Sequence, residues 1–166
     1  FFWKNKKMIP VYANQRVIKS LISKYTFCFK PRFGYKPIMK ANTIKDKFRI
    51  KIKNKSLNVH SIEVVHGLIK AAGFIFEKIA YISDCNKIPS KSIKYLYNLD
   101  FLILDCLKKE KHPSHFSYGE ALELVKQIKP KKTILTNLHT DLDYDYLKKR
   151  LPKNIIPAYD GLSFNF

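Results

Sequence analysis

The chain has 166 residues, 46% of them apolar, which is enough for a hydrophobic core, and we expect one domain over residues 1–166. It lacks any run of about 18 apolar residues and any apolar core typical of a signal peptide, so we exclude a transmembrane helix and expect no membrane partner. Only four of the 32 basic residues behind the net charge of +19 are arginine, which argues against a dedicated nucleic-acid reader.

Along the first half of the chain, apolar periodicity and turn residues predict mainly extended structure. Asn14 can cap a helix, because Val17, Ile18, Leu21 and Ile22 follow it at helical spacing. The predicted elements are a strand at 8–13, a helix at 15–25, a loop at 29–42, a strand at 47–53 and an extended segment at 57–65.

In the second half, predicted strands alternate with helices. Ser117 caps the clearest helix and Glu120 completes a capping box, with Leu122, Val125 and Ile128 along the apolar face. The predicted elements are two strands within 71–84 that turn near 77–78, a short helix at 88–96, strands at 100–105 and 132–136, helices at 117–129 and 143–150, and a final strand with a turn at 155–164. This alternation predicts an α/β fold in which mixed sheets pack against helices.

Acidic residues are concentrated in the second half. Asp46 is the only acid before Glu63, against sixteen Lys and Arg, and the other twelve acids lie between Glu63 and Asp160. Lys, Asn, Ile, Phe and Tyr, which AT-rich codons encode, are abundant, so we favour composition bias over a selected nucleic-acid surface. We therefore expect the chemistry in the second half, and a basic module that binds nucleic acid through residues 1–62 is the alternative.

Three side chains that can bind metals each lie at or just past the end of a predicted strand: His66, Asp84 and His139. Strand ends at one edge of a sheet can converge in space, and imidazole with carboxylate suits Zn²⁺ or Mn²⁺. The alternative is that each is an ordinary loop residue. Taken together, the three predict a metal site at the sheet edge.

Two more histidines, His112 and His115, precede the capped helix, where they could donate a proton or bind an anion. Asp105 ends a strand and can orient a neighbouring group through a hydrogen bond. The three cysteines, Cys28, Cys85 and Cys106, are widely spaced, which predicts buried thiols rather than disulfides and a reducing, cytoplasmic location.

Six motifs follow one another in the order VVHG, YISDCNKIP, FLILD, HPSHFSYGEAL, ILTNLHTDLDY and YDGL. This order resembles the C-terminal two-thirds of the metallo-β-lactamase-fold hydrolases. The nearest branch is the cyclic phosphodiesterases of the phosphonate pathway, and tRNase Z is a more distant relative. The resemblance implies a four-layer αββα sandwich, truncated at the N-terminus, with two divalent ions, Zn²⁺ or Mn²⁺, at one edge of its sheets.

The resemblance also implies roles for individual residues. His66 and His139 match metal ligands, and Asp84 matches the carboxylate that bridges the two ions. Asp141 could orient a ligand histidine, and His115 resembles the histidine that assists proton transfer to the leaving group. Many relatives read T-H-x-S-H-D where this chain reads TNLHTD at 136–141.

The main signature of that family, H-x-H-x-D-H, does not occur among the five histidines of this chain. In relatives it lies shortly before a segment similar to FFWKNKKMIPVYA, so we expect the chain to begin just after it. We therefore expect the C-terminal portion of a metal-dependent hydrolase that cleaves small cyclic or nucleotide-like phosphodiesters, in a family whose members often dimerise. We expect poor metal occupancy and weak or absent activity from this portion alone, and the product of a decaying gene is a further alternative.

Overall fold

The computed structural model describes residues 2–52 and 54–165, and the chain divides into two compact units, residues 1–48 and 49–166. The expectation of a single domain stays a prediction. None of the helices in the described ranges approaches the length and hydrophobicity needed to cross a bilayer, since the longest has 11 residues.

The first unit contains a two-stranded parallel sheet, in which β1 (Ile9–Ala13) pairs with β2 (Met39–Thr43). Three helices complete it: α1 (Phe2–Asn5), α2 (Gln15–Lys24) and α3 (Thr26–Phe29). The capped helix is confirmed, since the amide of Val17 donates to Asn14 Oδ1 at 2.9 Å. The predicted loop at 29–42 is wrong for its last residues, because β1 supplies hydrogen-bond partners that make β2 a strand.

The second unit is built on a sheet whose described strands run in the order β3-β4-β5-β6-β7-β8-β9. Their bounds are Lys47–Ile52, Lys55–His66, Ile69–Phe76, Ile79–Ile82, Phe101–Asp105, Lys132–Thr136 and Ile155–Pro157. The predicted strands are confirmed, except that Lys53 lies outside the described residues. The final strand ends at Pro157, and the predicted turn follows it at Gly161, where φ is 89° and the Leu162 amide donates to Tyr159 O at 3.0 Å.

Helices connect the parallel strands of this sheet. They are α4 (Ser90–Ile93), which continues into a 3₁₀ turn at Lys94–Leu96, then α5 (Tyr118–Ile128) and α6 (Tyr144–Arg150). The predicted capping box is confirmed: the Glu120 carboxylate accepts from the Ser117 hydroxyl at 2.6 Å and from its amide at 3.0 Å. The hydroxyl hydrogen bond lowers the pKa of Glu120 although desolvation opposes it. This box sets where α5 begins, immediately after the segment that contains His115.

Strand direction brings four strand ends to one edge of the sheet. Strands β6, β7, β8 and β9 are mutually parallel, while β5 is antiparallel to both β4 and β6. Strand β4 therefore runs parallel to β6, and the carboxyl ends of β4, β6, β7 and β8 lie at the same edge. The predicted convergence of strand ends rests on this topology.

The core of the second unit lies where β7 meets α5. Leu102 and Leu104 of β7 are fully buried, and Ala121, Val125 and Ile128 of α5 belong to the same apolar cluster. Burying these side chains supplies the main favourable free energy of folding. The strand that ends at the candidate site is therefore anchored by the best-packed part of the sheet.

We expect Leu104→Ala to lower the free energy of unfolding by about 2–5 kcal/mol, because it removes core atoms and leaves a cavity. Urea denaturation followed by far-UV circular dichroism measures this change. Leu68→Ala is the matched control, since Leu68 is fully exposed at the β4–β5 turn and should change stability by less than about 0.5 kcal/mol. Equal effects of the two substitutions would contradict this description of the core.

Candidate metal centre

The side chains of His66, Asp84 and His115 meet at this sheet edge, and one ligand atom from each lies within 4.8 Å of the others. His66 ends β4, Asp84 comes two residues after β6, and His115 precedes α5. Both histidines are half-buried, and Asp84 is exposed. The three donors therefore form a group that is held by the fold on one side and open to solvent on the other.

A direct contact joins the two histidines. His66 Nε2 lies 3.2 Å from His115 Nε2, and His115 Nδ1 lies 2.8 Å from Asp105 Oδ2. Because the carboxylate accepts the hydrogen bond, the ring proton of neutral His115 resides on Nδ1. The lone pair on Nε2 therefore points towards His66, which is the tautomer that a metal ligand or proton acceptor requires.

Asp105 is fully buried, and three donors surround its carboxylate. Oδ2 accepts from the Cys85 amide at 3.0 Å as well as from His115, and Oδ1 accepts from Asn137 Nδ2 at 3.1 Å. A buried carboxylate is costly unless donors satisfy it, and these three do so. Asp105 thus contacts the His115 ring, and the orienting role that the sequence suggested for it stays a prediction.

The donor set suits a divalent ion. Two imidazole nitrogens and a carboxylate are preferred ligands of Zn²⁺ and acceptable ligands of Mn²⁺. Nitrogen ligands about 2.0–2.1 Å from a tetrahedral zinc ion lie roughly 3.3–3.4 Å apart, close to the 3.2 Å between the two Nε2 atoms. The chemistry and spacing of these residues therefore fit the metal that the resemblance implies.

His139 is not part of this group, although the sequence placed it with His66 and Asp84. Its ring is exposed, and Nδ1 lies 3.0 Å from Asp141 Oδ1. Desolvation raises the pKa of Asp141, but hydrogen bonds, first that from His139, outweigh it and lower the pKa. Asp141 thus contacts a histidine as expected, while a metal-binding role for His139 stays a prediction.

Asn137 occupies the place at the end of β8 that the sequence analysis gave to His139. Its φ of 63° turns the chain as the strand ends, and its amide nitrogen lies 3.1 Å from Asp105 Oδ1 and 3.2 Å from His115 Nδ1. Asparagine tolerates this left-handed conformation better than most residues. The T-H-x-S-H-D pattern could have revealed the position, because Asn137 aligns with its first histidine.

His112 lies beside the group, with its ring centroid 5.2 Å from that of His115. The Ser114 hydroxyl is 3.2 Å from His112 Nδ1. Desolvation lowers the pKa of His112, and the neighbouring His115 lowers it further. The ring is placed to contact a ligand of the metal centre, and its substrate-binding role stays a prediction.

The Asn86 side chain, which the sequence analysis missed, joins the hairpin between β4 and β5 to the segment before α5 through two hydrogen bonds. Asn86 Oδ1 accepts from the Gly67 amide at 3.0 Å, and Asn86 Nδ2 donates to Pro113 O at 3.0 Å. Gly67 has a φ of 61°, and a Cβ there would lie 3.2 Å from Ser114 Cβ. Glycine is thus required next to His66 both for conformation and for space.

The two cysteines of this unit are structural. Cys85 and Cys106 are fully buried and free. Burial, followed by the charge of Asp105, raises the pKa of Cys106 to about 12, and the same two causes raise the pKa of Cys85. Neither thiol is therefore a thiolate nucleophile at neutral pH, in agreement with the interpretation of both as small buried hydrophobic residues.

A family profile described as beta-lactamase superfamily domain matches residues 3–137. The chain is similar to a diphosphatase from the PhnP family, with 25% identity and a TM-score of 0.85, over 100% of this chain and 62% of that one. Zn²⁺-bound PqqB from Methylobacterium extorquens is 14% identical, with a TM-score of 0.74, over 99% of this chain and 67% of that one. These similarities confirm the expected mixed α/β fold of the metallo-β-lactamase type.

One curated relative, an octanoyltransferase from Porphyromonas gingivalis, is 26% identical over 158 residues, which are 93% of this chain and 32% of that protein. The chain thus spans about a third of this relative and less than two thirds of the PhnP-family structure. The activities of those longer proteins are not carried over to this chain by similarity alone.

We expect Asp105→Ala to lower the free energy of unfolding by about 3 kcal/mol, because buried donors lose their acceptor. It should also remove the preference of His115 for a proton on Nδ1, because that nitrogen loses its hydrogen-bond acceptor. Nitrogen-15 NMR at about pH 9, where imidazoles are neutral, should show the proton moving from Nδ1 to Nε2. Asp141→Ala is the control, since it removes the carboxylate beside exposed His139 and should change neither quantity for His115. An unchanged His115 tautomer in Asp105→Ala would contradict the orienting role.

Proposed function

Because this chain belongs to the beta-lactamase superfamily, whose members are metal-dependent hydrolases, we propose that it supplies part of a two-metal site that hydrolyses phosphodiesters. The observation that carries this proposal is the group of His66, Asp84 and His115 at one sheet edge. A small cyclic or nucleotide-like substrate suits the solvent-open side of the group. The similar diphosphatase supports chemistry at phosphorus, since its name describes hydrolysis of phosphate groups.

His66 and Asp84 would hold the ions, Zn²⁺ or Mn²⁺, with Asp84 shared between them. Zn²⁺ in the structurally similar PqqB supports the first choice. When bound, such ions supply Lewis-acid chemistry and neutralise the charge that develops on phosphoryl oxygens. The protein's contribution is to hold one imidazole and one carboxylate at the ends of two strands whose separation the sheet determines.

His115 would move the proton. Its Nε2 faces the group, and Asp105 holds Nδ1 at 2.8 Å, so a proton on Nε2 can pass to the departing oxygen while the buried carboxylate stabilises the imidazolium. His112 lies beside it and would contact the phosphate oxygens. The exposed face of Asp84 leaves this part of the group accessible to substrate.

We propose that this chain alone binds metal weakly and turns over slowly, because the proposed ligands, His66 and Asp84, are too few for two ions. The H-x-H-x-D-H signature, which the sequence lacks, would supply the remaining ligands. We also propose a cytoplasmic location, which three free and buried cysteines support.

We expect His66→Ala and Asp84→Ala each to weaken Zn²⁺ or Mn²⁺ binding by about tenfold or more, equivalent to about 1.4 kcal/mol. Isothermal titration of the intact chain measures this loss. His60→Ala is the matched control, because the His60 ring packs against Tyr95 at 4.4 Å and should not affect metal binding.

A polypeptide that extends the chain upstream through H-x-H-x-D-H should hydrolyse bis-p-nitrophenyl phosphate. Metal affinities unchanged by both substitutions, or an extended polypeptide without metal or turnover, would contradict the proposal.

We expect Asn137→His to tighten Zn²⁺ binding by about tenfold. The Asn137 side chain already contacts His115 and Asp105, so an imidazole there adds a nitrogen donor to the group. Histidine also tolerates positive φ better than most residues do. The visible spectrum of the Co²⁺-substituted protein should gain intensity as a nitrogen ligand is added.

Asn137→Ala serves as the control for this gain, because it removes the amide without adding a donor and should not tighten binding. If both variants bind Zn²⁺ equally, position 137 does not face the metal.

A further inference from the structure

We infer that the first unit carries a second binding site, a concave aromatic and basic surface that takes the unpaired nucleotides of a single-stranded nucleic acid. A cavity of about 490 Å³ in residues 1–48 is lined by Trp3, Phe27, Arg32, Phe33, Tyr35 and Lys36, among others. We call these six residues the aromatic surface. All six belong to the first unit, whereas the residues of the metal centre belong to the second.

The rings of the aromatic surface are exposed to an unusual degree. The exposed fractions are 70% for Trp3, 61% for Phe27, 85% for Phe33 and 70% for Tyr35. Single exposed apolar residues are common on proteins, but contiguous ones mark interaction sites. Four large rings around one cavity therefore indicate a ligand with flat apolar faces.

The backbone at Phe33 strengthens this inference. Arg32 and Tyr35 exchange backbone hydrogen bonds of 3.2 and 2.9 Å, and the two residues between them, Phe33 and Gly34, have φ values of 47° and 79°. Such tight turns favour Asn, Asp or Gly at both central positions, and a phenylalanine with positive φ is strained. Burial does not offset this cost, because the Phe33 side chain is 85% exposed. An external contact therefore explains the residue better than folding does.

The charge around the rings is complementary to phosphate. Residues 1–48 contain twelve Lys and Arg and one acid, Asp46, whereas residues 49–166 contain twenty basic and twelve acidic residues. The Arg32 guanidinium lies 5.0 Å from the Phe33 ring centroid, and Lys6 Nζ lies 5.7 Å from that of Trp3. Cations also lie over rings of the second unit, as Arg150 does over Tyr146 at 4.5 Å, so the feature that distinguishes the first unit is four highly exposed rings around one cavity with almost no acid nearby in sequence.

Stacking faces beside cations are the combination that binds single strands, in which bases stack on rings while the backbone contacts Lys and Arg. A duplex keeps the faces of its bases stacked inside and offers none of them to a protein ring. An anionic lipid surface or a second copy of the chain would also cover exposed rings, and the experiment below separates these occupants from a single strand.

Trp3 is the only tryptophan in the chain, so its fluorescence reports on this surface directly. The intact chain is titrated with oligo(dT) or oligo(U) of about 10 nucleotides, with a duplex of equal length, with heparin, and with vesicles of phosphatidylserine and phosphatidylcholine. We expect the single strands to quench Trp3 and to bind about tenfold more tightly than the duplex. Affinity should fall as salt rises, because phosphate contacts release counterions.

The decisive variant is Phe33→Asn. Asparagine suits the positive φ, so we expect thermal stability to stay equal or rise while single-strand affinity falls about tenfold. Tyr97→Asn is the control, since Tyr97 is an exposed ring in the second unit and should not affect binding. His66→Ala should bind single strands normally, which keeps this inference distinguishable from the metal site.

Three results would overturn the inference. The first is equal affinity for single strand, duplex and heparin with no effect of Phe33→Asn, which would reduce the binding to charge alone. The second is a Trp3 response to vesicles but not to oligonucleotides. The third is self-association in analytical ultracentrifugation that Phe33→Asn abolishes, because a second copy would then occupy the surface.

Discussion

The buried carboxylate of Asp105 is the interaction on which the candidate site depends. It ends strand β7 and accepts hydrogen bonds from Cys85 after β6, from His115 before α5 and from Asn137 after β8. A buried carboxylate without these donors would cost several kcal/mol, so folding brings the three segments to one point. The hydrogen bond between Asp105 and His115 stabilises the fold and also selects the tautomer of His115. The stability of this region and the preorganisation of the site therefore have one cause.

Sheet topology explains why chemistry is concentrated at this edge. The parallel strands β6, β7 and β8 end side by side, and the hairpin between β4 and β5 returns the chain so that His66 ends there too. Residues more than 40 positions apart in sequence thus become neighbours, as His66 and His115 show at 3.2 Å. Three candidate donors meet at this edge, and the chain spans 62% of the similar diphosphatase.

The two units differ in the kind of surface that they present. The second unit contains twelve acidic beside twenty basic residues, together with all five histidines, around a buried core. The first unit is almost devoid of acids and exposes aromatic rings, one of them on a strained turn. Cations lie over rings in both units, but the first unit gathers four rings, each more than 60% exposed, around one cavity. The second unit holds the candidate metal centre, and the first holds the aromatic surface.

Interactions within about four residues were readable from the sequence alone: the caps at Asn14 and Ser117, the helix that Ser117 begins, the strands of the second unit, and the position of His66 and Asp84 at strand ends. Strand β2 was not readable, because its hydrogen-bond partners lie 30 positions away in β1. Nor did the sequence decide that Asn137, rather than His139, meets His115. Asn137 reaches His115 with a positive φ at the end of β8. Such a dihedral angle depends on distant partners, here Asp105 and His115. The sequence by itself thus determined which histidines and carboxylates stand at strand ends, because that depends on local patterns, and only the tertiary structure decided which of them meet.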